Sequence, residues 1–80
     1  MESTEILKTL NHLFQDIVDD NSVVLNRETT AQDVEDWDSL NHITFIVAIE
    51  KHFKVKFTSA EIRSWNNVGE MCDAIAQHLG

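Results

Sequence analysis

The sequence predicts an all-α fold, a small antiparallel bundle of three main helices plus one short helix, with a long loop after the first. Three observations carry this. The 80 residues contain no proline and only two glycines, Gly69 and Gly80, so a turn-rich β domain lacks its punctuation. Apolar residues recur at helical spacing in three separate segments. A chain of this length forms one domain, residues 1–80, so the three stripes must share one core.

The first helix is expected from Glu5 to Val18. Ile6, Leu7, Leu10, Leu13, Phe14, Ile17 and Val18 trace a single stripe, with Ser3 or Thr4 as its cap. A polar connection follows from Asp19 to Asp38, with Val23, Val24, Leu25 and Val34 as its expected anchors in the core. From Asp16 to Asp38 there are eight acids and one base, Arg27, a local charge of −7. A loop this long in a small domain serves a function or carries short helical turns.

The second helix is expected to start at Asp38 or Ser39 and to reach about His52. Helical phase places Ile43, Ile46, Ile49 and Phe53 on the core face, with Phe45 on its flank. Leu40, Thr44, Val47 and Lys51 fall on nearly the opposite side. Single exposed aliphatics are common, so this face is either ordinary surface or a docking surface. The segment from Phe53 to Phe57 alternates apolar and basic residues and reads as an extended connector. Thr58 and Glu61 have the spacing of a capping box opening a short helix through Ser64. Asn66 or Asn67 then caps the last helix, whose stripe is Val68, Met71, Cys72, Ile75, Ala76 and Leu79.

Composition narrows the function. Six Lys and Arg against fourteen Asp and Glu leave a net charge of −8. Nucleic-acid binding needs clustered bases and is excluded on that ground. No apolar run approaches the length that spans a bilayer, so no membrane insertion is expected. The acidic, polar start does not read as a secretory signal, and a single cysteine forms no disulfide framework, so a cytoplasmic protein is expected. A monomer is expected, because the stripes leave no sizeable apolar surface over.

Ser39, in Asp36-Trp37-Asp38-Ser39-Leu40, is the chemically interesting residue. Unpaired N–H groups and a positive dipole end make a helix start favourable for a phosphate ester on this hydroxyl. The alternative is an ordinary capping serine. The string Trp37-Asp38-Ser39-Leu40-Asn41-His42-Ile43, followed by Ile46, Ile49-Glu50 and Phe53, resembles the acyl carrier protein family, and is similar to its stand-alone bacterial members. Size, acidity, helix order, the long first loop and the Phe-x-Val-x-Phe connector extend the likeness over nearly the whole chain.

The resemblance implies a 4′-phosphopantetheine on Ser39, installed from coenzyme A by a phosphopantetheinyl transferase. The arm's thiol would hold an acyl group as a thioester, and the protein would be a carrier, not an enzyme. Asp38, Leu40, Thr44, Val47 and Lys51 would meet partner enzymes: acyl-activating enzymes, acyltransferases or synthases with basic patches. Asp33, Glu35, Asp36 and Asp38 would steer them. The stripe of Ile43, Ile46 and Ile49, with Phe45, would line any space for a short acyl chain. Asn41, Thr44 and Lys51 stand where fatty-acid carriers often have acids, which implies partners of a specialised pathway. An aminoacyl or peptidyl carrier is the runner-up, weakened by the absence of glycines before the motif. A non-covalent acidic helical adaptor is the competing class.

Other motifs fail. Asp38, Ser39 and His42 would lie along one helix surface with no oxyanion hole, which is no hydrolase triad. His42 phases toward the core side, either packing against the loop or lining the mouth where the arm folds. An EF-hand starting at Asp33 would have Trp37 and Asp38 at positions 5 and 6 and Thr44 at position 12, against the pattern. His12, His42, His52 and His78 have no paired metal spacing. Trp37 reads as a loop anchor and Trp65 as a core plug, each with a second reading as a neighbour of the cargo. Cys72, on a buried stripe, does not replace the arm's thiol.

Overall fold

The structure, a computed structural model, describes residues 2–79. It has four α-helices: α1 (Ser3–Val18), α2 (Ser39–Phe53), α3 (Ser59–Ser64) and α4 (Val68–Leu79), with one 3₁₀ turn at Ala31–Asp33. There is no strand among the described residues. The bundle, the long loop and the helix order are those the sequence predicts. Helix α1 packs against both α2 and α4. Its stripe buries Ile6, Leu10 and Phe14 against Phe45, Ile46, Ile49 and Phe53 of α2 and Val68, Met71, Cys72 and Ile75 of α4. Each large side chain so buried is worth about 1.5–3 kcal/mol relative to exposure.

The ends of the helices have local causes. Thr58 Oγ1 accepts from Glu61 N–H and Glu61 Oε1 accepts from Thr58 N–H, both at 3.1 Å, closing the expected capping box of α3. Asn67 caps α4 by accepting the Glu70 N–H at 2.9 Å. Helix α1 departs from expectation. It begins at Ser3, its cap position is Glu2, and no side chain caps it. Ser3 Oγ accepts instead from Arg27 Nη1 at 2.8 Å, so a tertiary contact has taken the serine that local rules assign to capping.

The long loop is stitched to the bundle by side chains of α1 and α4. Asn11 grips Leu25 twice: its Oδ1 accepts the Leu25 N–H at 2.6 Å and its Nδ2 donates to the Leu25 carbonyl at 2.9 Å. Gln15 Nε2 donates to the Val23 carbonyl at 2.7 Å. These bonds turn Leu25 into the core. They leave Val24, expected as an anchor, exposed, because neighbours in a non-helical segment face opposite ways. At the far side Arg27 Nη2 donates to both carboxylate oxygens of Asp73, at 3.1 and 3.2 Å.

The loop and α4 also meet backbone to backbone. The Val68 N–H donates to the Thr29 carbonyl and the Gly69 N–H to the Arg27 carbonyl, both at 2.9 Å. These are first-turn donors that the helix itself cannot satisfy. The approach needs glycine at 69, because a Cβ there would lie 2.9 Å from the Arg27 carbonyl oxygen and 3.2 Å from Arg27 Cβ. Alanine would gain up to about 1 kcal/mol of helix propensity but overpack the contact at about 1–3 kcal/mol. Gly69→Ala is therefore expected to cost about 1 kcal/mol net in urea unfolding. Unchanged or higher stability would show that the loop is not held by this contact.

Candidate functional site

Asp38 caps α2. Its backbone is extended, its Oδ1 accepts the Asn41 N–H at 2.8 Å, and its carbonyl accepts the His42 N–H at 2.8 Å. Asn41 Nδ2 reaches back to the Asp36 carbonyl at 2.7 Å and pins the loop to the helix. Ser39 is thus the first residue inside α2, and it is exposed. The ordinary structural role open to this serine, capping, belongs to its neighbour. The Ser39 and Leu40 N–H groups are first-turn donors without intrahelical acceptors, and no acid lies in that first turn.

An open groove of about 420 Å³ adjoins the serine, lined by Ala31, Trp37, Asp38, Ser39, His42 and Ile43. Ala31, Trp37 and His42 also line a smaller inner space of about 100 Å³, with Thr29, Ile62, Trp65, Asn66, Asn67 and Met71. Trp37 and His42 stand between the two. Trp37 is half-buried, its ring 5.0 Å from Phe14 and 5.6 Å edge-on from Phe45. Its Nε1–H donates to His42 Nδ1 at 3.0 Å, so neutral His42 carries its proton on Nε2. Burial holds the His42 pKa below its ordinary value of 6.5. Trp37 is the expected loop anchor, and His42 bonds to it and lines the groove beside Ser39. Trp65, half-buried and edge-on to Phe57 at 5.0 Å, packs against the core and lines the inner space.

Expectation fails most at Ile43. Sequence phase puts it on the core face, but it is 62% exposed, while Phe45 from the flank is fully buried. The Trp37 ring, delivered by the loop, packs on Phe45 and Phe14, and this turns the buried stripe of α2 toward Phe45 and His42. Ile43 is left at the rim of the groove. It joins Leu40 (72% exposed) and Val47 (44% exposed) in one outward row with exposed Thr44 and Lys51. Asp38, Leu40, Thr44, Val47 and Lys51 therefore all reach solvent, as the sequence reading requires of them. Loop residues Asp33, Glu35 and Asp36 are exposed near the start of α2. No spacing signal in the sequence marks Ala31 as a groove residue or Asn66 as part of the inner space's lining.

His42 offers no base to Ser39, because its Nδ1 is engaged by Trp37. Among the described residues no three His, Cys, Asp or Glu side chains gather to hold a metal. Cys72 is fully buried, and burial pushes its thiol up to about 11, beyond reach as a nucleophile at neutral pH. His78 Nε2 lies 2.9 Å from Glu61 Oε2, tying α4 to α3 and lowering the Glu61 pKa.

Comparison with known proteins identifies this arrangement. The family model described as "Phosphopantetheine attachment site" matches residues 13–75. Among solved structures, the NMR structure of a holo acyl carrier protein from Geobacter metallireducens is 42% identical. The match covers 91% of this chain and 84% of that one, with a TM-score of 0.85. No curated protein sequence matches the chain.

The Trp37–His42 bond needs neutral His42. A depressed folded pKa means stability that is complete above the unfolded value near 6.5 and is lost as pH falls through the folded value. NMR titration is expected to place His42 below the ordinary histidine value of 6.5, with the Trp37 indole N–H resonance moving in step. An indole resonance indifferent to that titration would break the link.

Proposed function

The chain belongs to the acyl carrier proteins of the phosphopantetheine attachment-site family, and from that premise we propose Ser39 as the residue that carries the group. Members of this family are carriers and not enzymes, and the group is 4′-phosphopantetheine, attached covalently. When bound, it supplies a terminal thiol on which an acyl cargo is held as a thioester. The observation that carries the assignment to Ser39 is the division of labour at the start of α2. Asp38 does the capping, and the next residue is left exposed beside a groove.

The residues present fit the group. A phosphate ester on Ser39 lies at the positive end of α2, next to N–H groups without intrahelical acceptors. The groove beside it offers the Trp37 ring, His42 and Ile43 as a wall that would hold the arm. The inner space, with the polar side chains of Thr29, Asn66 and Asn67 in its lining, suits a short cargo better than a long chain.

The outward row of α2 is the proposed partner face. Asp38 lies at its start, Leu40 and Val47 give apolar contact, Ile43 adds a third aliphatic, and Thr44 and Lys51 complete it. Partners are the phosphopantetheinyl transferase and acyl-activating enzymes, acyltransferases or synthases whose basic patches meet the acidic loop. Glu50, the one acid along α2, is half-buried and accepts the Phe57 N–H at 2.9 Å. With no other acid on this helix, the partner set differs from that of a housekeeping fatty-acid synthase, which supports a specialised pathway. We place the protein in the cytoplasm as a monomer, where the free thiol of Cys72 stays reduced.

Incubation with coenzyme A, magnesium and a broad-range phosphopantetheinyl transferase, followed by intact mass, tests the site. One phosphopantetheine on Ser39 is expected, and none on Ser39→Ala. That variant should keep its stability within about 0.5 kcal/mol, because Asp38 retains the cap. Loading that survives Ser39→Ala would overturn the assignment. Val47→Glu places a charge in the apolar row without touching the core. It should slow transfer from the loaded protein to a cognate partner at least about tenfold at unchanged unfolding midpoint. Unaltered transfer would move the partner face elsewhere.

A further inference from the structure

Three of the chain's six Lys and Arg residues, Lys51, Lys54 and Lys56, gather at the C-terminal end of α2. All three are exposed, and with Val47, Glu50 and Val55 they line one surface groove of about 650 Å³. The carboxylate in that lining is engaged, since Glu50 Oε2 accepts the Phe57 N–H. Arg27, by contrast, is held by the carboxylate of Asp73. On a molecule of charge −8, the end of α2 is a patch of the opposite sign.

Lys54 sits in left-handed backbone, φ 57° and ψ 47°, where its N–H closes α2 on the Glu50 carbonyl. Glycine takes that conformation without steric cost and is the usual residue there. A cation near a helix C-terminus is favourable, but Lys51 and His52 already occupy the last turn. Backbone geometry favours another residue and the dipole is served without this one, so a lysine at 54 calls for a reason outside the fold.

We propose that Lys51, Lys54 and Lys56 form a docking surface for an acidic patch on the partner enzyme. Helix α2 then presents a footprint of two signs: carboxylates at its start, aliphatics along its middle and lysines at its end. The inference rests on α2 being the partner face, and not on which residue bears the group. From Asp38 to Lys54 the rise of a helix spans about 24 Å. The fitting partner carries a basic and an acidic patch about that far apart, with an apolar strip between them. A partner turned end for end meets like charges twice, so the footprint sets the docking direction.

The test is an NMR titration of the 80-residue chain with three probes. They are a synthetic helix with a leucine stripe flanked by glutamates, its lysine counterpart, and phosphatidylglycerol vesicles. The glutamate helix is expected to shift amides of residues 47–56 saturably and in a salt-dependent way. The lysine helix is expected to shift residues 33–38 instead. Lys54→Gly should keep the fold at equal or higher stability while weakening the glutamate helix about twofold to fivefold. The double variant Lys51→Glu, Lys56→Glu should lose saturable binding. No saturable binding, shifts spread over the whole surface, or an undiminished Lys54→Gly would overturn the proposal. So would vesicles engaging the lysines where the glutamate helix does not, since the surface would then be a lipid one. Failure of Ser39 to load leaves these outcomes intact, and loading without peptide binding removes the lysine surface alone.

Discussion

The packing of Trp37 against Phe14 and Phe45, which also touch each other, is the contact on which the site depends. A tryptophan seated there brings the end of a twenty-residue connection to the start of α2 and fixes its direction. Asp38 follows directly and caps the helix, so Ser39 emerges one residue later, inside the first turn and open to solvent. The indole N–H finds His42 one turn further along, which satisfies a polar group that burial would otherwise strand. One aromatic side chain thus anchors the loop, positions the cap, orients the imidazole and forms a wall shared by the groove and the inner space.

That arrangement holds only if the loop is held along its length. A connection of this size cannot be fixed by hydrophobic anchors alone when it carries most of the negative charge. It is fixed by directed polar contacts: Asn11 and Gln15 from α1, the N–H groups of Val68 and Gly69 from α4, and the Arg27–Asp73 pair. Most of these use backbone groups as partners, so they hold the chain's path without constraining the loop's outward side chains. The acids of the loop stay solvated and free to attract. The exposed ion pair contributes little stability by itself, and its value lies in orienting Arg27 beside Ser3 and α4.

Along α2 the chemistry changes with position. Its start is polar and anion-favouring, its middle bears three outward aliphatics, and its end is basic. The core side of the same helix is filled by Phe45, Ile46, Ile49 and Phe53. One helix therefore supports the bundle with one face and is free to serve partners with the other. Substitutions on the outward face can alter recognition with little effect on folding, because those side chains lie outside the buried core.

The helices, their order, the capping of α3 and α4 and the candidate serine are legible in the residues alone, because they follow from local spacing. Apolar periodicity marks a buried stripe, and Asp, Thr and Asn before a stripe mark its start. The contributions of Ile43 and Val24 are not legible in this way. Helical phase admits Ile43 to the core, and hydrophobicity alone nominates Val24 as an anchor. Their exposure follows from Trp37 taking the space beside Phe45 and from Asn11 and Gln15 turning Leu25 inward. The same holds for Ser3, which local rules make a cap and Arg27 makes a tertiary acceptor, and for the bond from the Phe57 N–H to Glu50, which no spacing announces. Spacing along a chain encodes which face a helix buries to within a fraction of a turn. Choosing among the residues at the edge of that face needs the neighbours that chain distance does not reveal.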